Sequence, residues 1–309
     1  MRAAVIDAPG PAAALEIRSV PTPQPANGEV VIALQYASLG PWDVEQRAGT
    51  FGAVTPGTIL GADGSGTIAA VGADVTGFKI GDRVYSYSYG KSGSGFNAQY
   101  VCVSSDRVAH VPSHLNMVVA GAMPCVGLTA LSGIEVLALQ NGQSFFVFGA
   151  SGGVGSMAVW LAHEKGITVI GTARADAQEY VRQLGATYVF DPNLPNPAEF
   201  EKHKVEKDFD AALITVNAKP LTASLAGLKP GGPMSYPNGV EPAPYLNGHR
   251  SIAYDGEMSP QAMERLNAAI GSRNIPLKTE VFPLKDIAQA HERFERGHVI
   301  GKIVISLTE

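Results

Sequence analysis

Short apolar runs separated by turn residues fill the first third of the chain. GEVVIAL (28–34), GTIAAVG (66–72), DRVYSYS (82–88), AQYVCV (98–103) and DRVAHVP (106–112) each read as a strand, and the turn-rich PTPQPANG precedes the first. Strands this short, with turn signals between them, predict a compact barrel or sandwich. The rhythm changes near Ser113. LNMVVAGAMPCVGLTALSGIEVL has the length and spacing of helices, with breaks expected at Pro124 and Gly127. Strands and helices then alternate: strand 145–149, helix 153–165, strand 168–173, helix 176–184 and strand 187–190. Further strands follow at 210–216 and 232–239, with a helix-like stretch between them. That alternation predicts a parallel sheet covered on both faces. Near the end, SPQAMERLNAAIGSRN reads as a helix capped by Ser259 before Pro260. KTEVFPL reads as a strand, KDIAQAHERFERG as an amphipathic helix ending at Gly297, and GKIVISL as a last apolar strand. The pattern alone does not choose which domain this last strand joins.

The sharpest chemical signal lies where the alternation begins. Phe148-Gly149-Ala150-Ser151-Gly152-Gly153-Val154-Gly155 follows an apolar strand and opens a helical pattern, the setting a dinucleotide-binding loop requires. The spacing is Ala-x-Gly-x-x-Gly, with Ala150 where the usual motif has its first glycine. Gly152 lets the backbone approach a pyrophosphate, Gly155 lets the helix pack closely on the sheet, and the helix N-terminus offers N–H groups to phosphate. Residues Ala150, Ser151, Gly152, Gly153, Val154 and Gly155 are therefore the candidate phosphate loop. The competing reading is a glycine-rich turn in an ordinary strand–helix unit.

The end of the second strand bears on which dinucleotide is held. NAD sites usually place an acid there for the ribose hydroxyls. This chain has Thr172-Ala173-Arg174, with Ala173 about where the acid would stand. An arginine attracts and forks onto a 2′-phosphate, so Thr172 and Arg174 point to NADPH. A solvated loop cation is the alternative for Arg174, and Asp176, two residues on, argues against the phosphate.

Composition bounds the remaining choices. The chain has 309 residues, 45% hydrophobic and 17% charged, which excludes intrinsic disorder and suits about two domains. The 35 glycines and 21 prolines show no triplet period, which excludes collagen. A net charge of −5 with no long basic run argues against nucleic acid as a partner. Cys102 and Cys125 make neither a disulfide framework nor a four-cysteine zinc site, and the opening MRAAVIDAPG has no signal pattern, so a reducing, cytoplasmic setting is expected. Residues 136–162 carry no charge, but Asn141-Gly142-Gln143 and the glycine cluster divide them into short elements, so no membrane span is expected.

With these residues in hand, the chain resembles the medium-chain dehydrogenase/reductase superfamily, on its zinc-free quinone oxidoreductase branch. The resemblance is carried by MRAAVI…PTPQPANGEVVIAL, GTILGADGSGTIAAVGADVTGFKIGDRVY, AGAMPCVGLTAL, FGASGGVGSMAVWLA and FPLKDIAQAHERFERGHVIGKIVI, in that order over nearly the whole length. It implies an α/β protein: a GroES-like β-rich catalytic domain from residues 1–115 and 278–309, and a Rossmann doubly wound parallel sheet domain from 116–277. It also implies a substrate cleft at their junction and, commonly, a homodimer.

The resemblance also frames the metal question. Zinc-dependent relatives have a cysteine in the segment that reads ASLGPWD here, and a histidine where this chain has Ala62. They carry a cysteine run for structural zinc, and none stands between Asp82 and Val101. Cys125 falls where they place a third ligand, but one thiolate does not make a tetrahedral site. His110 and His114 are four apart, with Pro112 between them to break a shared helical face. No metal is expected, and a small buried packing residue is the bland reading of Cys125.

Without metal, the protein must align an electron-poor acceptor with the nicotinamide. A quinone or an α,β-unsaturated carbonyl suits that arrangement; an unactivated alcohol needs a base or metal to take its proton. By the resemblance, Thr129 lies near the nicotinamide, unless it bonds its own helix backbone. Trp42, Phe51, Tyr87 and Cys125 are candidate substrate-cleft residues, with Trp42 and Phe51 as an aromatic wall or as ordinary core. Tyr87 and Tyr89 are candidate proton donors or exposed loop tyrosines, and Asp43 and Asp63 are expected to hold turns of the small domain. Three departures bear on substrate and competence: Gly40 where the family often has asparagine, Glu45 where quinone reductases often have an aromatic, and Ile214 where an acid often ends a strand. No essential acid or base is assigned. The expectation is an NADPH-dependent quinone or enone reductase; the alternative is an NADPH-binding sensor or scaffold with little turnover. A zinc alcohol dehydrogenase is a third reading.

Overall fold

The structure is a computed structural model that describes residues 1–50, 54–88, 95–193, 209–216, 218 and 221–308. Strand β1 (Arg2–Ile6) pairs with β2 (Glu16–Ser19), and the long β3 (Glu29–Leu39) leads into helix α1 (Pro41–Ala48). The sequence pattern did not reveal α1, yet its end signals are plain. Pro41 fixes the first turn, the Asp43 carboxylate accepts the Gly40 N–H at 2.7 Å, and Gly49 ends the helix at φ +83°.

Strands β4 (Thr58–Ile59), β5 (Asp63–Val71), β6 (Arg83–Tyr87), β7 (Tyr100–Ser104) and β8 (Val108–His110) follow. Helices α2 (Met117–Ala122) and α3 (Pro124–Glu135) meet at Pro124, the expected break. Gly127 does not break α3, contrary to the pattern. A Cβ there would come within 3.1 Å of Leu266, so its glycine serves helix packing.

The alternating region runs β9 (Ser144–Phe148), α4 (Gly153–Glu164), β10 (Thr168–Thr172), α5 (Gln178–Gln183), β11 (Tyr188–Phe190), β12 (Ala211–Ile214), α6 (Leu221–Ser224), β13 (Met234–Pro237) and β14 (Ser251–Tyr254). Strand β14, four residues long and a half-exposed edge, is too short to have been read from sequence. Helix α7 (Pro260–Ile270), β15 (Thr279–Pro283), α8 (Ile287–Glu295) and β16 (Lys302–Ser306) complete the chain. Ser259 caps α7 as expected, accepting the Ala262 N–H at 3.0 Å.

Among the described residues, three sheets organise these elements. The parallel sheet has the order β11-β10-β9-β12-β13-β14, which is the doubly wound order with its reversal between β9 and β12. The mixed sheet runs β15-β16-β3-β5-β6-β8, with β7 also on β3, and a small β2-β1-β4 sheet stands beside it. The last strand therefore joins the N-terminal strands: Val304 lies opposite Ser38. Apolar side chains cover both faces of the parallel sheet. Phe145, Val147, Met157 and Leu161 fill one side, and Phe146, Phe148, Ile170 and Phe209 the other. Burial on both faces explains the near-continuous apolar reading of β9. No helix among the described residues is long and apolar enough to cross a membrane.

Candidate functional site

The strand order reverses between β9 and β12, and a doubly wound sheet opens a crevice at such a point, beyond the carboxyl ends of its strands. Gly149, at φ +84°, turns the chain out of β9. Thr215, just past β12, donates its hydroxyl to the Phe148 carbonyl at 2.9 Å and closes the base of the crevice.

Two neighbouring cavities occupy the region. One, of about 400 Å³, is lined by Gly40, Gly152, Gly153 and Lys302 among others. The second, of about 280 Å³, reaches Thr172, Arg174 and Asn193. They share Gly149, Ser151, Val216, His298 and Val299, so they form one groove from Gly40 past the glycine loop to Arg174.

Each residue of the loop has a distinct role in this geometry. Among the described residues, and apart from its chain neighbours, the only atom within 4 Å of a Cβ built on Gly152 is the Gly149 carbonyl oxygen at 3.7 Å, so its backbone faces open groove. A Cβ on Gly155 would meet that carbonyl at 2.1 Å, which is the close helix packing expected of it. Ala150 is fully buried, and its N–H donates to the Thr172 carbonyl at 3.1 Å. Ser151 and Val154 line the groove, and the Ser151 carbonyl accepts the Gly301 N–H at 2.8 Å. That bond ties the segment entering β16 to the loop. Gly153 has another duty: a Cβ there would lie 2.8 Å from Cδ of Lys302, so its absence lets the lysine stem cross the start of α4.

At the far end, Thr172 is buried and its hydroxyl accepts the Gly149 N–H at 2.9 Å, bracing the turn. Arg174 is partly exposed and pairs with Asp176 at 2.8 Å.

A buried charged cluster lies at the other end. Lys302 Nζ donates to the Leu39 carbonyl at 2.9 Å. Asp63 accepts from the Ser38 hydroxyl and from the Cys125 N–H, the latter at 2.9 Å. Burial raises Asp43 to about 6 against the opposing bond from Gly40 and the charge of Lys302. Asp63 is also raised by burial, again opposed by Lys302. The Cys125 thiol is pushed up to about 12 by burial and by the Asp63 charge, so it is protonated at neutral pH.

The other expected cleft residues are placed as follows. Thr129 donates to the Cys125 carbonyl at 2.8 Å, a bond within its own helix. Trp42 stands on α1 with its ring over Gly239, where a Cβ would lie 3.1 Å away. Tyr87 ends β6 and is buried, not an exposed loop residue, with its hydroxyl bonded to the Cys125 thiol. Thr129, Trp42, Tyr87 and Cys125 line neither of the two cavities. Phe51 and Tyr89 lie outside the described residues. Glu45 is exposed, and Ile214 is fully buried in β12. Sequence reasoning missed Lys302, His298 and Val216. A lone lysine opening the apolar run KIVIS was the available signal for the first.

Gly40 and Ala62 offer no donor side chain, and an ammonium already stands among the carboxylates. No group of three metal-ligating side chains occurs among the described residues.

Comparison with known proteins agrees with the architecture. Residues 26–113 match the model of the alcohol dehydrogenase GroES-like domain, and 153–239 that of the zinc-binding dehydrogenase domain. The chain is 30% identical to the mitochondrial NAD(P)H oxidoreductase RTN4IP1 of Mus musculus, covering 90% of this chain and 82% of that one. It is 29% identical to a 2-methylene-furan-3-one reductase of Solanum lycopersicum, covering 93% and 74%. The quinone oxidoreductase structure from Coxiella burnetii superposes with a TM-score of 0.85 at 26% identity, covering 100% and 99%.

Proposed function

The chain belongs to the medium-chain dehydrogenase/reductase superfamily and is an oxidoreductase of that family, and from this premise we propose that it reduces a quinone or an α,β-unsaturated carbonyl with NADPH and without metal. One observation carries the reading. A single groove connects Arg174, the open backbone of Gly152, and the charged cluster at Gly40 and Lys302, at the switch point of the sheet. NADPH when bound supplies a hydride. Arg174 would take its 2′-phosphate, and the N–H groups at the start of α4, from Gly152 to Val154, its pyrophosphate. Its nicotinamide end would then lie toward Gly40 and Lys302.

Zinc independence rests on the donor set: without a histidine at position 62 or a cysteine in the segment ASLGPWD, Cys125 lacks partners for a tetrahedral site. An acceptor whose carbon is already electrophilic needs no Lewis acid. The relatives named for quinone and enone reduction support that substrate class. The proposal divides the chain into a catalytic domain at 1–115 and 278–309 and a nucleotide domain at 116–277, in accord with the pairing of β16 to β3. It includes a homodimer as the working assembly. It also includes a reducing, cytoplasmic setting, which suits the two free thiols Cys102 and Cys125.

The test is cofactor consumption by purified protein with a soluble para-quinone, run in parallel with NADPH and NADH. Rapid oxidation of NADPH with slow oxidation of NADH is expected. Saturable NADPH binding without turnover would favour the sensor reading, and stoichiometric zinc by elemental analysis would overturn the metal-free mechanism.

A further inference from the structure

The groove crosses the carboxyl ends of three strands in turn: Arg174 follows β10, Gly149 follows β9, and Thr215 and Val216 follow β12. The next strand in the sheet is β13, and its end is the turn from Pro237 to Val240. That turn is firmly held. The Asn238 N–H donates to the Tyr254 carbonyl at 2.8 Å, and the Asn238 side-chain amide donates to Asp255 at 2.9 Å. One strand further, the end of β14 is closed by α3. A Cβ on Gly256 would meet the Thr129 hydroxyl at 2.7 Å, and the Glu257 N–H donates to Ser132 at 3.2 Å. An acceptor beside the nicotinamide end of the groove thus has the end of β13 as its boundary.

Trp42 stands on that boundary. It is the second residue of α1, after Pro41, and both Gly40 and Pro41 line the larger cavity. Its ring crosses from α1 to the end of the parallel sheet: a Cβ built on Gly239 would lie 3.1 Å from Cη2 and 3.2 Å from Cζ2 of the indole. Gly239 has φ +98°, so the turn and the close approach both call for glycine. Pro41 fixes the helix start from which the indole projects, and Trp42 is half-buried. A large flat side chain is therefore held between α1 and β13, one strand beyond the groove wall made by Thr215 and Val216.

We propose that Trp42 sets the size of the acceptor: its indole is the end wall of the acceptor site, against which a single-ring quinone or a short enone lies, and it turns away acceptors with several fused rings. This assignment rests on the reductase reading and narrows the substrate class within it. An indole offers a flat apolar face suited to a planar, electron-poor ring. A wall of this bulk discriminates by volume rather than by hydrogen bonding. Trp42 lines neither of the two cavities, so its substitution bears on the acceptor and not on the dinucleotide.

Trp42 and Trp160 are the two tryptophans of the chain, which gives a readout independent of turnover. Trp160 is buried in α4 and its indole N–H has no hydrogen-bond partner among the described residues, so Trp160→Phe removes no bond and leaves Trp42 as the single indole. Protein saturated with NADP⁺, which has no hydride to give, is titrated with tetramethyl-1,4-benzoquinone while tryptophan fluorescence is read. Saturable quenching is expected in Trp160→Phe, and none in Trp42→Phe, where the buried Trp160 is the remaining indole. In turnover assays Trp42→Ala should raise kcat/KM for 9,10-phenanthrenequinone, relative to that for tetramethyl-1,4-benzoquinone, by about tenfold or more. NADP⁺ affinity should move by less than about threefold, within the range of an unaffected contact. An unchanged ratio between the two quinones, or quinone turnover without quenching of Trp42, would overturn the assignment and leave the reductase reading standing. Saturable quenching of Trp42 with turnover of neither quinone upholds the wall and refutes the reductase reading. Absence of both quenching and turnover overturns both.

Discussion

Nη2 of Arg174 donates to Oδ2 of Asp176 at 2.8 Å, so the cation at the end of β10 reaches the groove already paired. Both side chains are substantially exposed, at 40% and 58%, and pairs of that kind contribute little. A 2′-phosphate offers more charge and a fork-matched acceptor, and is expected to displace the aspartate. Arg174→Ala should raise the dissociation constant for NADPH by about 10–100-fold while leaving NADH within about threefold. Asp176→Asn should act in the opposite direction and tighten NADPH. Nucleotide fluorescence titrations of both variants decide this, and an equal loss for the two nucleotides would mark a folding effect.

The two glycines of the loop predict opposite kinds of damage. A methyl on Gly152 meets nothing closer than a carbonyl at 3.7 Å, whereas one on Gly155 would collide with that carbonyl at 2.1 Å. Gly152→Val should therefore melt near the wild-type temperature yet bind neither NADPH nor NADH, because its side chain fills the space a pyrophosphate needs. Gly155→Ala should lose stability outright, by roughly 1–3 kcal/mol as in other overpacked sites. Thermal melts with and without nucleotide separate the two. A Gly152→Val protein whose melting temperature still rises with NADPH would remove the pyrophosphate from this loop.

How far the sequence revealed these features depends on what each one rests on. The glycine loop and the parallel sheet were legible because strand, turn and helix carry local signals: apolar β9, Gly149 and the run from Gly153. Helix α1 was not, because its buried residues are Asp43 and Arg47, the reverse of an apolar face. Thr172 could be placed at the groove, but its hydroxyl is spent on Gly149, a partner 23 positions away that no periodicity shows. Lys302 was hidden for the same reason. Its partner Leu39 is 263 residues distant, and only the fold brings the two together.

Burial of Asp43 makes a prediction about pH. Its carboxyl is held at about 6 in the folded chain against 3.8 when exposed, with burial as the main cause. Between those values the native state binds more protons than the unfolded state, so this group's contribution falls as pH rises from about 4 to about 6. The gap corresponds to on the order of 3 kcal/mol. Wild type should thus lose stability relative to Asp43→Asn across that interval, as read from denaturant unfolding at each pH. A constant difference between the two proteins would place the carboxyl in a better-solvated site than the structure shows.

His291 predicts the opposite slope. It sits on α8, fully buried, and neither ring nitrogen has a hydrogen-bond partner among the described residues. Burial, aided by the nearby Arg47 charge, lowers it from 6.5 to about 3. Arg47 is itself buried and bonded to Glu295 and to the Gly10 carbonyl, so the cation is fixed beside the imidazole. Here the unfolded state binds the extra proton, so stability is complete above 6.5 and is lost as pH falls toward about 3. At about pH 4.5 the loss amounts to about 3 kcal/mol. His291→Leu removes the titrating group and two unpaired buried nitrogens while keeping an apolar side chain of similar size. It should flatten the acid side of the stability profile, and melting temperatures at about pH 7.5 and about pH 4.5 should lie closer together than in wild type. Combined with Asp43→Asn, the effects should add, because the two groups sit in separate clusters with no shared partner. An acid limb unchanged by His291→Leu would mean that the imidazole reaches solvent before the rest of the protein unfolds.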